Sequence, residues 1–447
     1  MYIDFFLNTF NENSHRNAII WNRRAYSYEW LIKTYQLWLD KLNDFISHNG
    51  TIVIIEADFS PNSIALLFAL IEKNAVIVPL TDSVENKRDE FIRISEGELL
   101  IKINSEDKVE ISKIPHDANN KLYKRLRKKE HPGLVLFSSG STGASKASLH
   151  DITFLLEKFK LRRHRLNAIT FLLYDHIGGF NTLLYILSNG GKIVTTKNRD
   201  PANILKLIEE NEVELLPTSP TFLNLLIISE EYKNFDLSCL KVITYGTEPM
   251  PEVTLDRLNK IFPNVKFTQT YGLSEVGILR SKSKSSNSLW VKIGGEDYKT
   301  RVVNGLLEIK AKASMLGYLN AESPFTKDGW FKTGDKVEVD GEYIRILGRE
   351  SEIINVGGEK VYPQEVENVI LKIPNVKDVS VYKEDNQIMG NIVCANVILN
   401  PTSENKNQMK KHIKSYCLNH LEPYKVPIKI NLVKNQIHTS RYKKKRN

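Results

Sequence analysis

The sequence predicts an α/β protein: a large N-terminal domain, residues 1–347, of stacked α/β/α subdomains plus a small β-barrel-like part, followed by a small α+β C-terminal domain, residues 348–447. Three observations support this fold class. The chain has 447 residues, more than a single hydrophobic core usually organises. From Thr51 to about Glu275, short apolar runs alternate with helical patterns, as in parallel sheets covered by helices on both faces. After about Ser288 the runs instead have the pattern of antiparallel strands.

Apolar, β-rich runs predict the buried strands of the first part, and two longer stretches predict helices. The strand runs are TIVIIEAD, NAVIVPLT, PGLVLFSS, NAITFLLY, GKIVTT, EVELLPTS, LKVITYG and VKFTQTYG. The helical stretches are PANILKLIEENE and SPTFLNLLIISEEY. From about Ser83 to His131 we expect little between the strands. Ligands of such folds bind at the carboxyl ends of the strands, where this chain has polar loops.

The later elements are shorter and are expected to pair locally. SLWVKIG, KTRVVNGLLEIKA and DKVEVDGEYIRILG predict antiparallel strands, with Asp340 and Gly341 as a two-residue hairpin turn. Beyond Gly348 we expect a helix after Pro363, the strands VKDVSVYKE and NIVCANVIL, a helix from about 405 to 420, and a last strand IKINLV. This pattern predicts a small α+β domain of about a hundred residues.

Composition excludes several classes of protein. The formal charge is +9, but it is spread through a chain rich in Lys, Asn and Ile, with dense clusters only at YKRLRKKEH and RYKKKRN. We expect no nucleic-acid partner, because single-strand binding needs several aromatic platforms among basic residues and the tail offers only Tyr442. A cationic surface also suits an acidic cofactor or carrier.

Cysteine usage and apolar runs indicate a cytoplasmic protein. The three cysteines are far apart and form no C-x-x-C pair, so neither a disulfide framework nor a zinc site is expected. The N-terminal residues lack the basic region of a signal peptide. The longest apolar run, SIALLFALI, is too short to cross a bilayer, so we expect no membrane span.

The stretch LFSSGSTGASK, residues 136–146, has the composition of a phosphate-binding loop. It is not a nucleotide-binding P-loop of the kinase or GTPase type, because that motif requires a glycine and a metal-binding hydroxyl where this chain has Ser145 and Ala147. A run of Ser, Thr and Gly that ends in a lysine therefore indicates another phosphate chemistry.

Five motifs in series provide that chemistry by resemblance. LFSSGSTGASK, YGTEPMP, TYGLSEVG, GWFKTGD and GRESEIINVGGEKVYPQEVE occur in the order and approximate spacing of the adenylate-forming superfamily, which includes acyl-CoA synthetases, luciferases and carrier-loading adenylation enzymes. The resemblance extends from about Tyr26 to Arg446. It implies that ATP converts a carboxylic acid into an acyl-adenylate with release of pyrophosphate, and that a thiol then takes the acyl group.

The first motif resembles the family's triphosphate loop. Hydroxyl groups, close backbone approach at glycine and one lysine charge would surround the transferring phosphate. The residues concerned are Ser138, Ser139, Gly140, Ser141, Thr142, Gly143 and Lys146. The family usually has Pro and Gly around the lysine, where this chain has Ser145 and Ala147.

Two further motifs imply the adenine and metal sites. By resemblance Tyr271 packs on the adenine, beside Gly272, and Ser274 binds the α-phosphate. Glu275 is expected to bind Mg²⁺ with Thr142, since a hard cation takes oxygen ligands. The segment that lines the adenine resembles YGTEP, which supplies Gly246, Thr247, Glu248 and Pro249.

The remaining nucleotide contacts come from later in the chain. Asp335 is an acceptor-only carboxylate suited to the two ribose hydroxyls, and Arg349 matches a family arginine near the ribose and phosphate. The family's hinge residue is Ser351 here, where Asp or Lys is usual.

The C-terminus resembles the family's Pro-x-Thr-x-x-Gly-Lys pattern. Thr439 and Lys443 keep the spacing, so Lys443 is our candidate for the lysine that enters the site for adenylation. The proline of the pattern is Ile437 and its glycine is Tyr442.

The loop LLYDHIGGF does not decide between a simple carboxylic acid and an amino acid as the substrate. In acyl-CoA synthetases the matching loop carries an aromatic residue and a histidine, as Tyr174 and His176 stand here before Gly178. In amino-acid-activating members an aspartate pairs with the α-amino group, and this chain also has Asp175. A buried Asp175 would need a cation. The following glycines favour the alignment on His176.

Three functions follow as hypotheses. The leading one is an AMP-forming ligase of a small carboxylic acid that uses ATP, Mg²⁺ and CoA. The second is an amino-acid or acyl adenylation enzyme that loads the phosphopantetheine arm of an acyl carrier protein. The third, kept open by the departures at positions 145, 147, 351, 437 and 442, is a non-catalytic relative that binds nucleotide.

Overall fold

A computed structural model of the chain describes residues 2–139, 145–400, 405–434, 437–439 and 441–445. The α-helices of these residues are α1 (Asp4–Glu12), α2 (Tyr28–Leu42), α3 (Pro61–Glu72), α4 (Arg88–Ser95), α5 (Lys121–Lys129), α6 (Ile152–Leu156), α7 (Ile177–Ser188), α8 (Pro201–Glu210), α9 (Pro220–Ser229), α10 (Glu252–Ile261), α11 (Pro363–Ile370) and α12 (Lys406–His420).

The β-strands of the same residues are β1 (Asn17–Trp21), β2 (Arg24–Ser27), β3 (Ile52–Glu56), β4 (Val76–Leu80), β5 (Leu99–Ile103), β6 (Val109–Lys113), β7 (Gly133–Ser139), β8 (Ser145–Asp151), β9 (Asn167–Ile169), β10 (Lys192–Val194), β11 (Leu215–Thr218), β12 (Val242–Tyr245), β13 (Lys266–Gln269), β14 (Gly272–Leu273), β15 (Gly277–Ile278), β16 (Arg280–Ser283), β17 (Trp290–Gly294), β18 (Tyr298–Val303), β19 (Leu306–Ala311), β20 (Gly317–Tyr318), β21 (Phe331–Asp340), β22 (Tyr343–Arg349), β23 (Ile354–Val356), β24 (Glu359–Val361), β25 (Val376–Asn386), β26 (Gly390–Leu399) and β27 (Lys429–Leu432).

Two seven-stranded sheets form the large part of the molecule. Their strand orders are β20-β8-β7-β4-β3-β5-β6 and β13-β12-β11-β9-β10-β1-β2. The central strands of both sheets pair in parallel, which confirms the strands predicted from the apolar runs. The predicted helices α8 and α9 are confirmed as well.

The expectation of little structure from about Ser83 to His131 is wrong. This region contains α4, the antiparallel pair of β5 and β6, and α5. α5 buries only Leu122, Tyr123 and Leu126, and its other residues are largely basic, so the short apolar face is easily overlooked in the sequence.

Helices separate and cover the two sheets. The largest hydrophobic cluster lies between them and includes residues of α1, α2, α3 and α7 together with one face of each sheet. Nearly every residue of α3 and α7 is buried, because both helices contact apolar residues all round. Residues of α8, α9 and α10 cover the outer face of one sheet, and α4 and α5 cover that of the other. The result is the layered α/β architecture that the sequence predicted.

Most of the remaining strands pair in an antiparallel manner, as expected after about Ser288, whereas β27 pairs with β26 in parallel. Six of the antiparallel strands have the order β16-β17-β22-β21-β19-β18, and Gly341 adopts a positive φ of 58° in the turn between β21 and β22. The small C-terminal core consists of β23 to β27 with α11 and α12. β22 ends at Arg349, and Ile354 is the first residue of the small core. Among the described residues, no helix combines the length and the apolar character needed to cross a bilayer.

Two adjacent glycines at the start of α7 provide a test of the packing. A Cβ on Gly179 would lie 2.0 Å from the carbonyl oxygen of Leu173, whereas a Cβ on Gly178 would first meet the Leu172 side chain at 2.5 Å. Gly179→Ala should lower the unfolding free energy by about 1–3 kcal/mol, because backbone must shift. Gly178→Ala should cost less, since a side chain can rotate. Denaturant unfolding measures both, and equal losses would contradict the packing described here.

Candidate active site

The sequence motifs converge at one edge of the two sheets. The strands β7, β9, β12 and β13 end at the phosphate loop, the acid loop, the YGTEP segment and the YGLSE segment, respectively. β11, β12 and β13 pair in parallel and in register, so their carboxyl ends lie side by side. This is the edge at which α/β folds bind ligands.

The base of the phosphate loop is held by a β-hairpin. Gly140, Ser141, Thr142 and Gly143 lie outside the described residues. Ser138 and Lys146 face each other across β7 and β8, as do Ser139 and Ser145. The Lys146 ammonium lies 5.3 Å from the centre of the Tyr318 ring, a cation–π distance.

The two departures that flank Lys146 have partners of their own. The amide group of Asn320 donates to the Ser145 carbonyl at 2.8 Å and accepts from the Ala147 N–H at 3.0 Å. The ammonium of Lys87 donates to the Ser145 hydroxyl at 3.0 Å. These bonds fix the strand that leaves the loop, although the usual Pro and Gly are missing.

Tyr318 and His150 position the segment that carries Glu275. The Tyr318 hydroxyl donates to the Glu275 carboxylate at 2.8 Å. His150 is fully buried, and its Nε2–H donates to the carbonyl of Ser274 at 2.5 Å. Burial lowers the pKa of His150 to about 4, so the ring is neutral at physiological pH.

Tyr271 and Asp335 are buried and form a cluster with Arg349, whose side chain is half exposed. The Tyr271 hydroxyl donates to Asp335, and the guanidinium of Arg349 lies 3.4 Å from the other carboxylate oxygen. Burial raises the pKa of Asp335, while the charge of Arg349 acts in the opposite direction. The structure thus brings the predicted adenine, ribose and phosphate residues together, with Gly272 next to Tyr271 in β14.

The YGTEP segment runs close to the end of β13. A Cβ on Gly246 would lie 2.7 Å from the Thr270 hydroxyl and 2.8 Å from its carbonyl, so only glycine allows this approach. Thr247 follows with a positive φ of 73°, and Pro249 is partly buried. The Glu248 carboxylate accepts from the backbone N–H of Thr221 at 2.8 Å.

His176 has the tautomer whose hydrogen-bond donor is Nε2. Its Nδ1 accepts from the backbone N–H of Gly178 at 3.0 Å, which caps α7, so the proton of a neutral ring is on Nε2. Burial, followed by the charges of Lys443 and Arg441, lowers the pKa of His176 to about 3. Tyr174 instead lies in the core, 1% exposed, with its hydroxyl donating to the Ser63 carbonyl at 3.2 Å.

Asp175 meets a cation from the C-terminal domain. Arg441 donates to its Oδ2 at 2.8 Å, and the Thr81 hydroxyl donates to the same atom at 3.1 Å. Asp175 is 6% exposed, and its Oδ1 has no partner among the described residues. Burial raises the pKa of Asp175, and the charge of Arg441 opposes that effect.

Lys443 is brought to the same site by the C-terminal residues. Burial lowers its pKa, as do the nearby charges of Arg349 and Arg441, whereas Glu248 raises it. The charge of Lys443 also acts on His176. Three cations therefore converge on the carboxyl edge of the sheets, an arrangement suited to an anionic ligand.

Three buried polar atoms without hydrogen-bond partners in the described part of the chain lie at adjacent strand ends. Within the part of the chain that the structure describes, Thr218 Oγ1, the Tyr245 hydroxyl and Gln269 Oε1 are buried without partners, at the ends of β11, β12 and β13. Buried polar atoms are normally paired, so these positions fit a polar molecule such as a nucleotide. No cluster of three or more possible metal ligands occurs in the described ranges. The single carboxylate of Glu275 is compatible with Mg²⁺, because this ion binds one or two protein carboxylates and takes further oxygen ligands from the phosphates of the substrate.

Several site residues escape sequence reasoning. His150, Tyr318 and Arg441 act on Ser274, Glu275 and Asp175 from distant parts of the chain. β8 has the sequence SKASLHD, so His150 is one of several polar residues in that strand and gives no distinct local signal. Tyr318 and Arg441 do not occupy a defined position in any helix pattern, strand pattern or functional motif of the sequence.

The family models agree with this geometry. The model of the AMP-binding enzyme family matches residues 45–294, and that of the AMP-binding enzyme C-terminal domain matches residues 365–444. The chain belongs to the AMP-binding enzyme family. The predicted resemblance is thereby confirmed.

Curated relatives of this family member are CoA ligases. Indoleacetate–CoA ligase of Aromatoleum aromaticum is 28% identical over 323 residues, 66% of this chain and 62% of that protein. 4-Chlorobenzoate–CoA ligase of a Pseudomonas species is 28% identical over 331 residues, 66% of this chain and 61% of that protein. The chain thus spans about three fifths of the length of the curated relatives it matches.

Solved structures share the whole fold. The anthranilate CoA ligase AuaEII in complex with anthranoyl-AMP has a TM-score of 0.83 at 17% identity, over 99% of this chain and 95% of that one. ATP-bound MatB from Rhodopseudomonas palustris has a TM-score of 0.82 at 20% identity, over 99% and 97%. These similarities confirm the predicted fold class, a large N-terminal and a small C-terminal α/β part.

Stability at mildly acidic pH should depend on His150. Because its folded pKa of about 4 lies below the ordinary 6.5, the unfolded chain binds a proton first and stability falls as pH drops from 6.5 towards 4. The expected loss is on the order of 3 kcal/mol. His150→Gln should flatten the plot of unfolding free energy against pH, whereas His412→Gln at an exposed position of α12 should not. Equal slopes would rule out a buried neutral His150.

Proposed function

We propose that the protein is an AMP-forming carboxylic acid ligase that activates a small acid with ATP and transfers the acyl group to a thiol, with CoA as the acceptor. The observation that carries the proposal is the convergence of Lys443, Arg349 and His176 beside the nucleotide residues. The similarity to indoleacetate–CoA ligase and 4-chlorobenzoate–CoA ligase supports it.

In the first half-reaction a carboxylate oxygen attacks the α-phosphorus of ATP. The bond from that phosphorus to the oxygen bridging to the β-phosphate breaks, and pyrophosphate leaves with the electron pair. Lys443 and Arg349 are placed to stabilise the negative charge on the transferring group. An anion beside Lys443 would raise the pKa of this lysine and so oppose the effect of burial. Mg²⁺ bound by Glu275 and Thr142 would supply further positive charge to the phosphates.

His176 is the residue proposed to bind the carboxylate of the acid substrate. A neutral ring with the proton on Nε2 donates one hydrogen bond to a carboxylate oxygen and retains that bond when the oxygen becomes part of the acyl-adenylate. Asp175 already pairs with Arg441, so its charge is largely engaged. The arrangement therefore favours a simple acid over an amino acid, whose ammonium would need a free carboxylate.

In the second half-reaction the thiol sulfur attacks the acyl carbon and loses its proton to solvent. The bond from that carbon to the AMP oxygen breaks, and AMP leaves. We assign residues 348–447 to a domain that moves Lys443 away for this step, with the short turn Glu350–Glu352 as the hinge region. Gly357 and Gly358 begin the loop that resembles the family's thiol channel, and both have positive φ angles.

The unpaired Oδ1 of Asp175 favours one alternative, loading of an amino acid onto the phosphopantetheine arm of a carrier protein. A substrate ammonium could take that atom if Arg441 withdrew. A non-catalytic nucleotide-binding relative is disfavoured, because Lys443 is held within the site.

Acid-dependent exchange between ATP and pyrophosphate tests adenylation. With a panel of short fatty, aromatic and hydroxy acids, the wild-type chain should exchange, and Lys443→Ala should lower the rate about 100-fold or more because a transition-state cation is lost. Lys445→Ala is the matched control, since Lys445 is exposed in the same tail. Its rate should be near that of the wild type. Bound ATP without exchange for any acid would overturn the proposal.

The acid panel with His176→Asn tests the substrate class. Asparagine can keep the helix cap but is too short to reach the acid, so kcat/KM for the acid should fall about 10–100-fold with KM for ATP unchanged. Exchange confined to amino acids, and insensitive to His176→Asn, would transfer the assignment to Asp175 and to carrier loading.

A further inference from the structure

The C-terminal residues form a small hairpin, which we call the tail hairpin (residues 437–439 and 441–445). The backbone N–H of Lys445 donates to the Ile437 carbonyl at 2.8 Å, and that of Thr439 donates to the Lys443 carbonyl at the same distance. His438 and Lys444 form a β-bridge between the two sides. Lys443 is therefore held in a defined backbone position.

One end of the tail hairpin is fixed to the C-terminal domain. The Lys444 ammonium donates to the Val379 carbonyl at 2.7 Å and lies 3.5 Å from Asp378. The Ser380 hydroxyl donates to the carbonyl of Lys445. These contacts join the hairpin to β25, so it moves with the small domain.

Tyr442 attaches the same hairpin to the large domain. Its hydroxyl donates to the Arg199 carbonyl at 2.7 Å, and its own carbonyl accepts from the Ser219 hydroxyl at 2.8 Å. Its ring lies against Phe171 and Phe222, at 5.3 and 5.5 Å between ring centres. Phe171 lies just after β9, Ser219 lies between β11 and α9, and Phe222 lies in the first turn of α9. Arg199 precedes α8.

Arg441 makes the second attachment to the large domain. It donates to Asp175 at 2.8 Å and to the Ser83 hydroxyl at 2.9 Å. Asp175 precedes His176 directly, so this ion pair also joins the lysine-bearing tail to the acid loop. Removal of either partner would leave a poorly solvated charge.

The backbone of Tyr442 has a conformation that is unusual for a residue other than glycine. Tyr442 has a φ of 53°, in the left-handed region that glycine adopts without cost and other residues rarely do. The family pattern has glycine here. A tyrosine accepts the strain while its ring and hydroxyl make contacts that glycine cannot make.

We propose that Arg441 and Tyr442 are positioning residues that clamp the two domains together with Lys443 in the site for adenylation. The inference rests on the proposed function and adds a chain-specific device to it. Because these contacts exist only in this domain orientation, they favour it over the orientation for thiol transfer and must break before the domain turns. Lys443 itself touches the reaction, whereas Arg441 and Tyr442 act through it.

The two half-reactions provide the activity test. Tyr442→Gly and Arg441→Ala should each lower the maximal rate of ATP–pyrophosphate exchange about tenfold, with KM for ATP unchanged, because fewer molecules hold the lysine in place. Transfer from a synthetic acyl-adenylate to CoA should be unchanged or faster. Arg441→Lys, which keeps the charge, should recover part of the exchange. Equal losses in both half-reactions would indicate a merely structural role and overturn the clamp.

Tryptic cleavage of the full-length protein after Lys444 provides a test that needs no activity. Docking protects this bond, so Tyr442→Gly and Arg441→Ala should increase the cleavage rate several-fold in the presence of ATP, while Lys411→Ala on α12 should not. If the wild type shows no exchange but both variants expose the tail, the clamp stands and the proposed function fails. Unchanged cleavage in both variants overturns the clamp whatever the activity.

Discussion

In both seven-stranded sheets the central strands pair in parallel, so their carboxyl ends meet at one edge. The whole candidate site depends on this constraint. Segments that are distant in the chain, such as the acid loop and the YGLSE segment, come to the same edge because both follow strands of one sheet, β9 and β13. The helices between the sheets bury the apolar faces, which leaves this edge as the place where polar side chains can collect.

Buried charges at this edge are compensated by partners from other parts of the chain. Asp335 lies between Tyr271 and Arg349, and Asp175 lies between Thr81 and Arg441. A buried carboxylate without such partners would be costly, so each pair also fixes the relative position of two segments. The cation of the Asp175 pair, Arg441, belongs to the tail hairpin, whereas Arg349 is the last residue of β22. The charge of Asp175 is therefore balanced by a residue that is far from it in the chain.

The structure shows partners for the departures at positions 145, 147 and 442, and nothing in it explains Ser351. Asn320 and Lys87 hold Ser145, so the strand after the phosphate loop is fixed without the usual proline and glycine. Tyr442 has a positive φ, which glycine adopts readily, and its hydroxyl donates to the Arg199 carbonyl of the large domain. Ile437 is buried at the base of the tail hairpin. These replacements keep the geometry of the motif while changing the groups that support it.

The sequence by itself determined the strands with long apolar runs, the helices α8, α9, α11 and α12, and the family, because apolar periodicity and contiguous motifs are local properties of the chain. The set of nucleotide residues is a prediction from the same motifs. The sequence patterns missed α4 and α5, whose short apolar faces carry a weak signal among charged residues. Only the tertiary structure decided the partner of Asp175, the tautomer of His176 and the support of Glu275 by Tyr318. Those features depend on which distant side chains meet at the sheet edge, and packing, not local pattern, sets that.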